Sequence, residues 1–322
     1  MKAAIVEEYG QPIGVVRVME IEKPRPTGKE LLIKVKSASL NDYDWSLVRG
    51  KPYLYRLMFG LQKPKHKVLG MELAGVVEEV GAEVKKFKAG DAVFGDISEH
   101  GFGSLAEFIC IHEDAVITKH PEISFDEAAA LPHASTLAMQ ALRDMGQIKT
   151  GMKVLINGAG GGVGTLGLQI AKLYNCKVTG VDSAEKFDMM KDLGFDKMID
   201  YRSENFTKSG LKYDLILDCK SNQSALAYQR VLSPEGRYIS IGGKLLSLVN
   251  VLFLGKLVSL FSSKRLQVLS LKANKGLEEI GNLVVDQKLR CQIDGPYSID
   301  EVGAYLQYFG EGKHEGKVII NI

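Results

Sequence analysis

Residues 154–172 read VLINGAGGGVGTLGLQIAK, an apolar run that breaks into four glycines within five residues, Gly158 and Gly160 to Gly162, and then resumes as an amphipathic pattern. A loop this bare between a strand and a helix lets main-chain N–H groups and the positive helix end approach a phosphate that a Cβ would obstruct. The fingerprint is incomplete, because Ala159 holds the first glycine position of Ala159-Gly160-Gly161-Gly162-Val163-Gly164. Its setting strengthens it. A strand precedes, a helix without proline follows, and Asp182 closes the next strand 18 positions after Gly164, near the roughly 20 expected of an acid that meets an adenosine ribose. The reading is a dinucleotide pyrophosphate held by Gly160, Gly161, Gly162, Val163 and Gly164; the bland alternative is a glycine-rich turn without a ligand. Asp182 should bond a free ribose 2′-OH and repel a 2′-phosphate, which favours NAD. Ser183, Lys186 and Tyr201 argue the other way, since a hydroxyl, an ammonium and a phenol could hold a 2′-phosphate if Asp182 turns away or pairs with a cation. Lys186 reads equally as a solvated helix lysine.

These residues need a scaffold, and the chain outlines one. From Met1 to about His120, short β-type runs (AAIVEE, ELLIKVKSASL, LAGVVEEVG, DAVFGD, LAEFICI) alternate with Gly, Pro, Asp and Lys clusters, which predicts a mostly β domain. Near residue 125 the period changes: Ser124 can cap a turn containing Asp126 and Glu127, and apolar residues then recur at helical spacing. Six strands alternating with helices follow, KVLING, KVTGVD, KMIDY, YDLILDC, GRYISIGG and RLQVLSLK, the pattern of a doubly wound parallel sheet. Cys219 and Gly242 stand at the ends of two of these strands, on the edge where dinucleotides lie. The division expected is residues 1–125, completed by 273–322 folding back, and a dinucleotide-binding domain over 126–272.

Composition narrows the function classes. Of 322 residues 45% are hydrophobic and 25% charged, as in an ordinary globular enzyme, and 41 Lys+Arg against 39 Asp+Glu leave a net charge of +2. No long basic run interleaved with aromatics points to nucleic acid. Cys110, Cys176, Cys219 and Cys291 lie far apart, without metal-ligand spacing, and read as buried thiols in a reducing compartment. The N-terminal MKAAIVEEYG has acidic residues where a secretory signal would have its apolar core, so a cytoplasmic protein is expected.

Together with the glycine loop, the segments KSASLNDYDWSLVRG, VLGMELAGVVEEVGAEVKKFKAGDAVFG, SFDEAAALPHASTLAMQAL and LGFDKMIDY make the chain resemble the medium-chain dehydrogenase/reductase superfamily, and within it the zinc-independent quinone oxidoreductase branch that includes the zeta-crystallin-like proteins. The resemblance implies a GroES-like domain, a Rossmann domain, and a cleft where nicotinamide meets substrate. Zinc alcohol dehydrogenases carry metal ligands at positions that match Asn41, Met71 and, with His133 as its neighbour, Pro132. A thioether and an amide do not replace thiolate and imidazole around Zn²⁺, and the four-cysteine structural-zinc lobe is replaced by the short DISEHGFGSLAEF. Without a Lewis acid, alcohol oxidation is disfavoured. Hydride addition to a quinone or an α,β-unsaturated carbonyl instead puts charge on a delocalised oxygen that hydrogen bonds and a proton source can stabilise.

The resemblance also assigns roles. Asn41 falls at an active-site amide that bonds the nicotinamide ribose or the substrate carbonyl, or else it is a turn-forming residue. Tyr43 falls where zinc enzymes place a proton-relaying hydroxyl, making it either the acid or a packed aromatic. Tyr53 and Tyr55 wall the substrate pocket or cover the barrel. Thr136 orients the carboxamide or bonds back to its own helix. His133 and His314 have no partner at metal-binding spacing. The apolar stretch 245–261, LLSLVNVLFLGKLVSLF, reads first as a buried helix with Lys256 snorkelling, next as a flap or dimer contact, and last as a membrane-surface anchor. The expectation is a zinc-independent NAD(P)H oxidoreductase, NADPH-preferring by family precedent with NADH as the other candidate, acting on a small quinone or enone. RLQVLSLK is the edge on which two copies would pair as a homodimer. A 2-alkenal reductase and a non-catalytic NADPH-binding protein stay open as alternatives.

Overall fold

A computed structural model describes residues 1–243 and 245–322, with all side chains among them but those of Met58 and Leu245. Its strands are β1 (Lys2–Val6), β2 (Val16–Glu20), β3 (Glu30–Ser39), β4 (Glu72–Val80), β5 (Ala92–Asp96), β6 (Phe108–His112), β7 (Ile117–Thr118), β8 (Lys153–Asn157), β9 (Lys177–Asp182), β10 (Lys197–Asp200), β11 (Tyr213–Asp218), β12 (Leu232–Ser240), β13 (Arg265–Val268), β14 (Ile293–Ser298) and β15 (Lys317–Asn321). They fall into two units.

The first unit comprises 1–133, 273–286 and 293–322. One of its sheets runs β14-β15-β3-β4-β5-β7, with β6 also on β3, and β1 pairs with β2 separately. The long β3 alternates, so that Leu31, Ile33 and Val35 enter the core with Val93, Val318 and Ile320. Strand β15 runs antiparallel to β3, Ile320 opposite Ala38, and that register brings the start of β15 to the start of β4. Ser124 caps the helix Phe125–Ala130 reciprocally with Glu127. This helix packs on β3 and β4, which is why the division falls after His133 rather than near residue 125, where the sequence period changes.

The second unit comprises 134–272 and 287–292. Its six strands are all parallel, in the order β10-β9-β8-β11-β12-β13. The interiors of β8 (Val154, Leu155, Ile156) and β11 (Leu215, Ile216, Leu217) are fully buried, as continuous apolar strands covered on both faces must be. Strand order reverses between β8 and β11, the switch point at which such sheets bind ligands beyond the strand ends.

One expectation is corrected here. The helix Leu245–Phe261 is packed along one side only: Val251 and Val258 are buried, whereas Leu246, Phe253, Leu260 and Phe261 are exposed. Its main neighbours among the described residues are β13 and the helix Ala225–Val231, too little surface to cover a helix that is apolar nearly all round. Lys256 is on the exposed side and has no need to snorkel. Asn250, the polar interruption, accepts the Ala225 N–H at 3.0 Å. No helix among the described residues is long and apolar enough to cross a membrane. Gly255 lets the helix approach the sheet, since a Cβ there would stand 2.5 Å from the Leu266 carbonyl oxygen. Gly255→Ala should therefore lower stability by about 1–3 kcal/mol, measured by urea unfolding, although alanine is the better helix former.

Candidate active site

In the second unit, β8 delivers the chain into the glycine loop, and Gly158, at φ +89°, turns it. The Gly158 and Ala159 N–H groups donate to the Val181 carbonyl at 2.9 and 3.2 Å, which hangs the loop from β9. Gly161 is the N-cap of the helix Gly162–Leu173; no side chain caps that first turn and no acid stands in it. Its donors and its positive end therefore suit an anion. At Gly164 a Cβ would lie 2.4 Å from the Gly158 carbonyl oxygen, so glycine allows helix and loop to close on each other.

Asp182 ends β9 and points into this loop. Its Oδ2 accepts the Gly160 N–H at 2.8 Å and its Oδ1 the Ser183 N–H at 2.9 Å, with Lys186 Nζ 3.8 Å from Oδ1. Lys186 is buried, and its stem is so close that a Cβ on Gly160 would meet Lys186 Cδ at 2.5 Å. The solvated reading of Lys186 is thus corrected: its stem packs on the glycine loop, and Asp182 is the acid that pairs with a cation. Tyr201 is exposed, but its N–H donates to the Asp182 carbonyl at 3.2 Å. Beside it Arg202, which the motif reading passed over, pairs with Glu185. Cys219 follows β11 and is partly exposed rather than buried, with its N–H on the Asn157 carbonyl at 3.0 Å. Of the four thiols only Cys176 is fully buried. Ser240 Oγ donates to the Gly242 carbonyl at 3.2 Å. Thr136 is completely buried in the helix Pro132–Met139.

In the first unit the polar centre is the Glu72 carboxylate at the start of β4, wholly buried. Its Oε1 accepts from Lys317 Nζ, from Ser39 Oγ and from Asn41 Nδ2, the last at 3.0 Å, while Oε2 accepts the His133 N–H at 2.7 Å. Lys317 Nζ also donates to Asn41 Oδ1 at 2.8 Å. The Asn41 amide is thereby oriented at both ends by buried ions, and Met71 beside Glu72 is fully buried. Sequence reasoning missed Lys317 and Glu72 as a pair; a lysine opening a strand reads as an edge residue, and only β15 returning to β3 brings the two together.

Asp44 lies beneath, accepting the Asn41 N–H at 3.0 Å and the Gly70 N–H at 2.9 Å. Burial pushes its carboxyl up to about 6, against the opposing pull of those two N–H groups and of Lys317. Tyr43 is exposed, edge-on to Phe59 and His133 at 6.1 and 6.4 Å between centroids, and desolvation by its neighbours raises its phenol above its ordinary value. Tyr55 packs on Phe59 at 6.0 Å. Tyr53 is exposed, under the Arg56 guanidinium at 5.1 Å. His314 is buried and stacked on Phe309. His133 Nδ1 lies 2.7 Å from Asp96 Oδ2, a partner that no local spacing announces. Among the described residues no group of three or more His, Cys, Asp or Glu is placed to hold a metal ion.

Two outcomes follow from the buried charges. Lys317→Met leaves Glu72 charged and unpaired and should cost about 3–5 kcal/mol in urea unfolding, part of which Glu72→Gln in the same chain restores. Because the Asp44 carboxyl titrates higher folded than its ordinary 3.8, the stability it contributes is fully present below that value and is lost as pH rises through about 6. The stability of the wild type relative to Asp44→Asn should accordingly fall between pH 4 and 7, by up to about 3 kcal/mol, in urea titrations across that range.

Comparison with known proteins agrees with this geometry. Residues 27–122 match the alcohol dehydrogenase GroES-like domain and residues 193–320 the zinc-binding dehydrogenase family. The chain is 31% identical to the chloroplast envelope quinone oxidoreductase homolog of Arabidopsis thaliana, over 99% of this chain and 98% of that protein. It is 29% identical to an NADPH-dependent alkenal/one oxidoreductase, chloroplastic, of the same plant, over 99% of this chain and 79% of that protein. The solved quinone oxidoreductase from Coxiella burnetii superposes with a TM-score of 0.88 at 28% identity, covering 100% of this chain and 99% of that one. A GroES-like sheet unit, a six-stranded parallel sheet with its glycine loop, and a quinone oxidoreductase homolog matched over 98% of its length place the chain in the medium-chain dehydrogenase/reductase superfamily, in its quinone oxidoreductase branch.

Proposed function

We propose that this protein uses NADPH to reduce quinones and α,β-unsaturated carbonyls, without a metal ion. The observation that carries the reading is the Lys317–Glu72–Asn41 network. Where zinc alcohol dehydrogenases carry two ligands this chain has an amide and a thioether, and the amide is already bonded at both ends by an ammonium and a carboxylate. Such a donor set suits a conjugated acceptor, whose reduction spreads charge over an oxygen that hydrogen bonds can stabilise. The quinone and alkenal/one reductases among its relatives support the same choice.

The bound nicotinamide would supply the hydride. The glycine loop and the uncapped helix would hold its pyrophosphate, while Lys186, Ser183 and Tyr201 surround the end of β9, where a ribose 2′ substituent would lie. With Lys186 beside Asp182, the carboxylate repels a 2′-phosphate less than it would alone, which supports NADPH over NADH. The proposal includes a cytoplasmic homodimer that pairs through β13, the outer strand of the parallel sheet.

The test is oxidation of NADPH and of NADH by chelator-treated protein, with and without a simple quinone or a 2-alkenal. Acceptor-dependent oxidation that survives chelation, faster with NADPH, is expected, and Lys186→Met should raise KM for NADPH about tenfold while leaving that for NADH nearly unchanged. Activity that returns only with zinc would overturn the metal-free reading. Cofactor binding without turnover on any acceptor would favour a binding protein instead.

A further inference from the structure

We propose that the outer face of the helix Leu245–Phe261 docks the protein on an anionic phospholipid surface. The inference goes beyond the reduction proposed above and does not depend on it. In the sequence alone a membrane surface ranks last among the readings of this stretch; the fold reverses that order, because it leaves one side of an apolar helix in water. Val251 and Val258 join the buried cluster that contains Tyr228 and Leu266. On the other side Leu246, Val249, Phe253, Lys256 and Leu260 follow one another at steps of three and four residues, which makes a single stripe. Leu246, Phe253 and Leu260 are 84%, 73% and 76% exposed, and Leu252 and Leu257, about half exposed, flank them. A contiguous apolar face of this kind is uncommon on a globular monomer and marks a contact with something else.

Charge identifies the occupant. The helix, β13 and the helix Ala225–Val231 contain no Asp or Glu, and the charged residues they do contain, Lys256, Arg265 and Arg230, are all exposed. Lys264 adds a cation between the helix and β13, its Nζ on the Gln229 carbonyl at 2.8 Å. Along the chain the run without an acid extends from Gly236 to Gly276. Glu235 stands at its edge, its N–H donating to Ser263 Oγ at 3.2 Å.

A second copy laid on this face would repeat the same patch, lysine and arginine again with no carboxylate to answer them; edge pairing at β13 is a different contact. A purely apolar occupant would bury the Lys256 ammonium unpaired. A bilayer meets both demands. Its acyl boundary takes Leu246, Phe253 and Leu260, its phosphates answer the cations, and the long stem of Lys256 lets the ammonium reach the headgroups while its neighbours go deeper. With 17 residues and its inner side committed to the protein core, the helix lies on the bilayer and does not cross it.

The experiment is flotation of the full chain with vesicles of phosphatidylcholine alone and of phosphatidylcholine mixed with phosphatidylglycerol. Binding should be about tenfold or more stronger to the anionic vesicles and should weaken as salt is raised. Phe253→Ser together with Leu260→Ser should weaken it about tenfold or more, and Lys256→Gln about fivefold. Urea unfolding midpoints should stay at the wild-type value, because these side chains are exposed. In Phe253→Trp, phospholipids brominated on the acyl chain should quench the new indole more than they quench Trp45 of the wild type. A wild type that binds neither vesicle, or binds both equally, would overturn the proposal, as would binding that the double substitution leaves intact. So would a dimer in sedimentation equilibrium that the double substitution dissociates, for a second copy would then occupy the face.

Discussion

The polar network that holds Asn41 in the first unit is arranged around one buried carboxylate. Glu72 has no solvent, so it must be neutralised and saturated with donors from within. Lys317 supplies the charge, and Ser39, Asn41 and the His133 main chain supply the remaining donors. The requirement ties β15, β3, β4, the helix that starts after Asn41 and the His133 main chain to a common point. A pair this deep adds little net stability compared with an apolar replacement, yet removal of either partner is severe. Its effect is therefore to fix geometry: Asn41 and His133 each reach their orientation through Glu72.

The sequence made the parallel sheet legible because strands buried on both faces are written as unbroken apolar runs, such as VLI in β8 and LIL in β11, punctuated by glycine. The glycine loop was legible for a similar reason, since the close approach at Gly164 leaves a mark on residue type. Ser124 with Glu127 announced a helix start through a local, reciprocal hydrogen bond. The first unit's polar centre has no such signature. Glu72 and Lys317 are separated by the whole of the second unit, and Asp96 finds His133 only because β5 ends beside that residue. Contacts made by topology leave no spacing to read.

Two features have physical causes that composition hides. The stretch 245–261 is apolar enough for a core, but burial needs surroundings as well as sequence, and among the described residues the main elements against this helix are β13 and one short helix. Asp182 was weighed as a ribose ligand by its place after β9. In the fold its carboxylate is held by two main-chain N–H groups and approached by Lys186, so the charge presented to a cofactor is that of the pair and not of a bare aspartate.

The order of Glu72 and Lys317 along the chain has a consequence for biosynthesis. As the polypeptide emerges from the ribosome, Glu72 precedes the parallel sheet of the second unit, and that sheet is made in full before β15. Until Lys317 arrives, the first unit has a carboxylate that cannot be dehydrated cheaply, so its sheet is completed only after the strands of the parallel sheet have been made. The first unit thus closes around an ammonium that stands 245 residues along the chain from the carboxylate it neutralises.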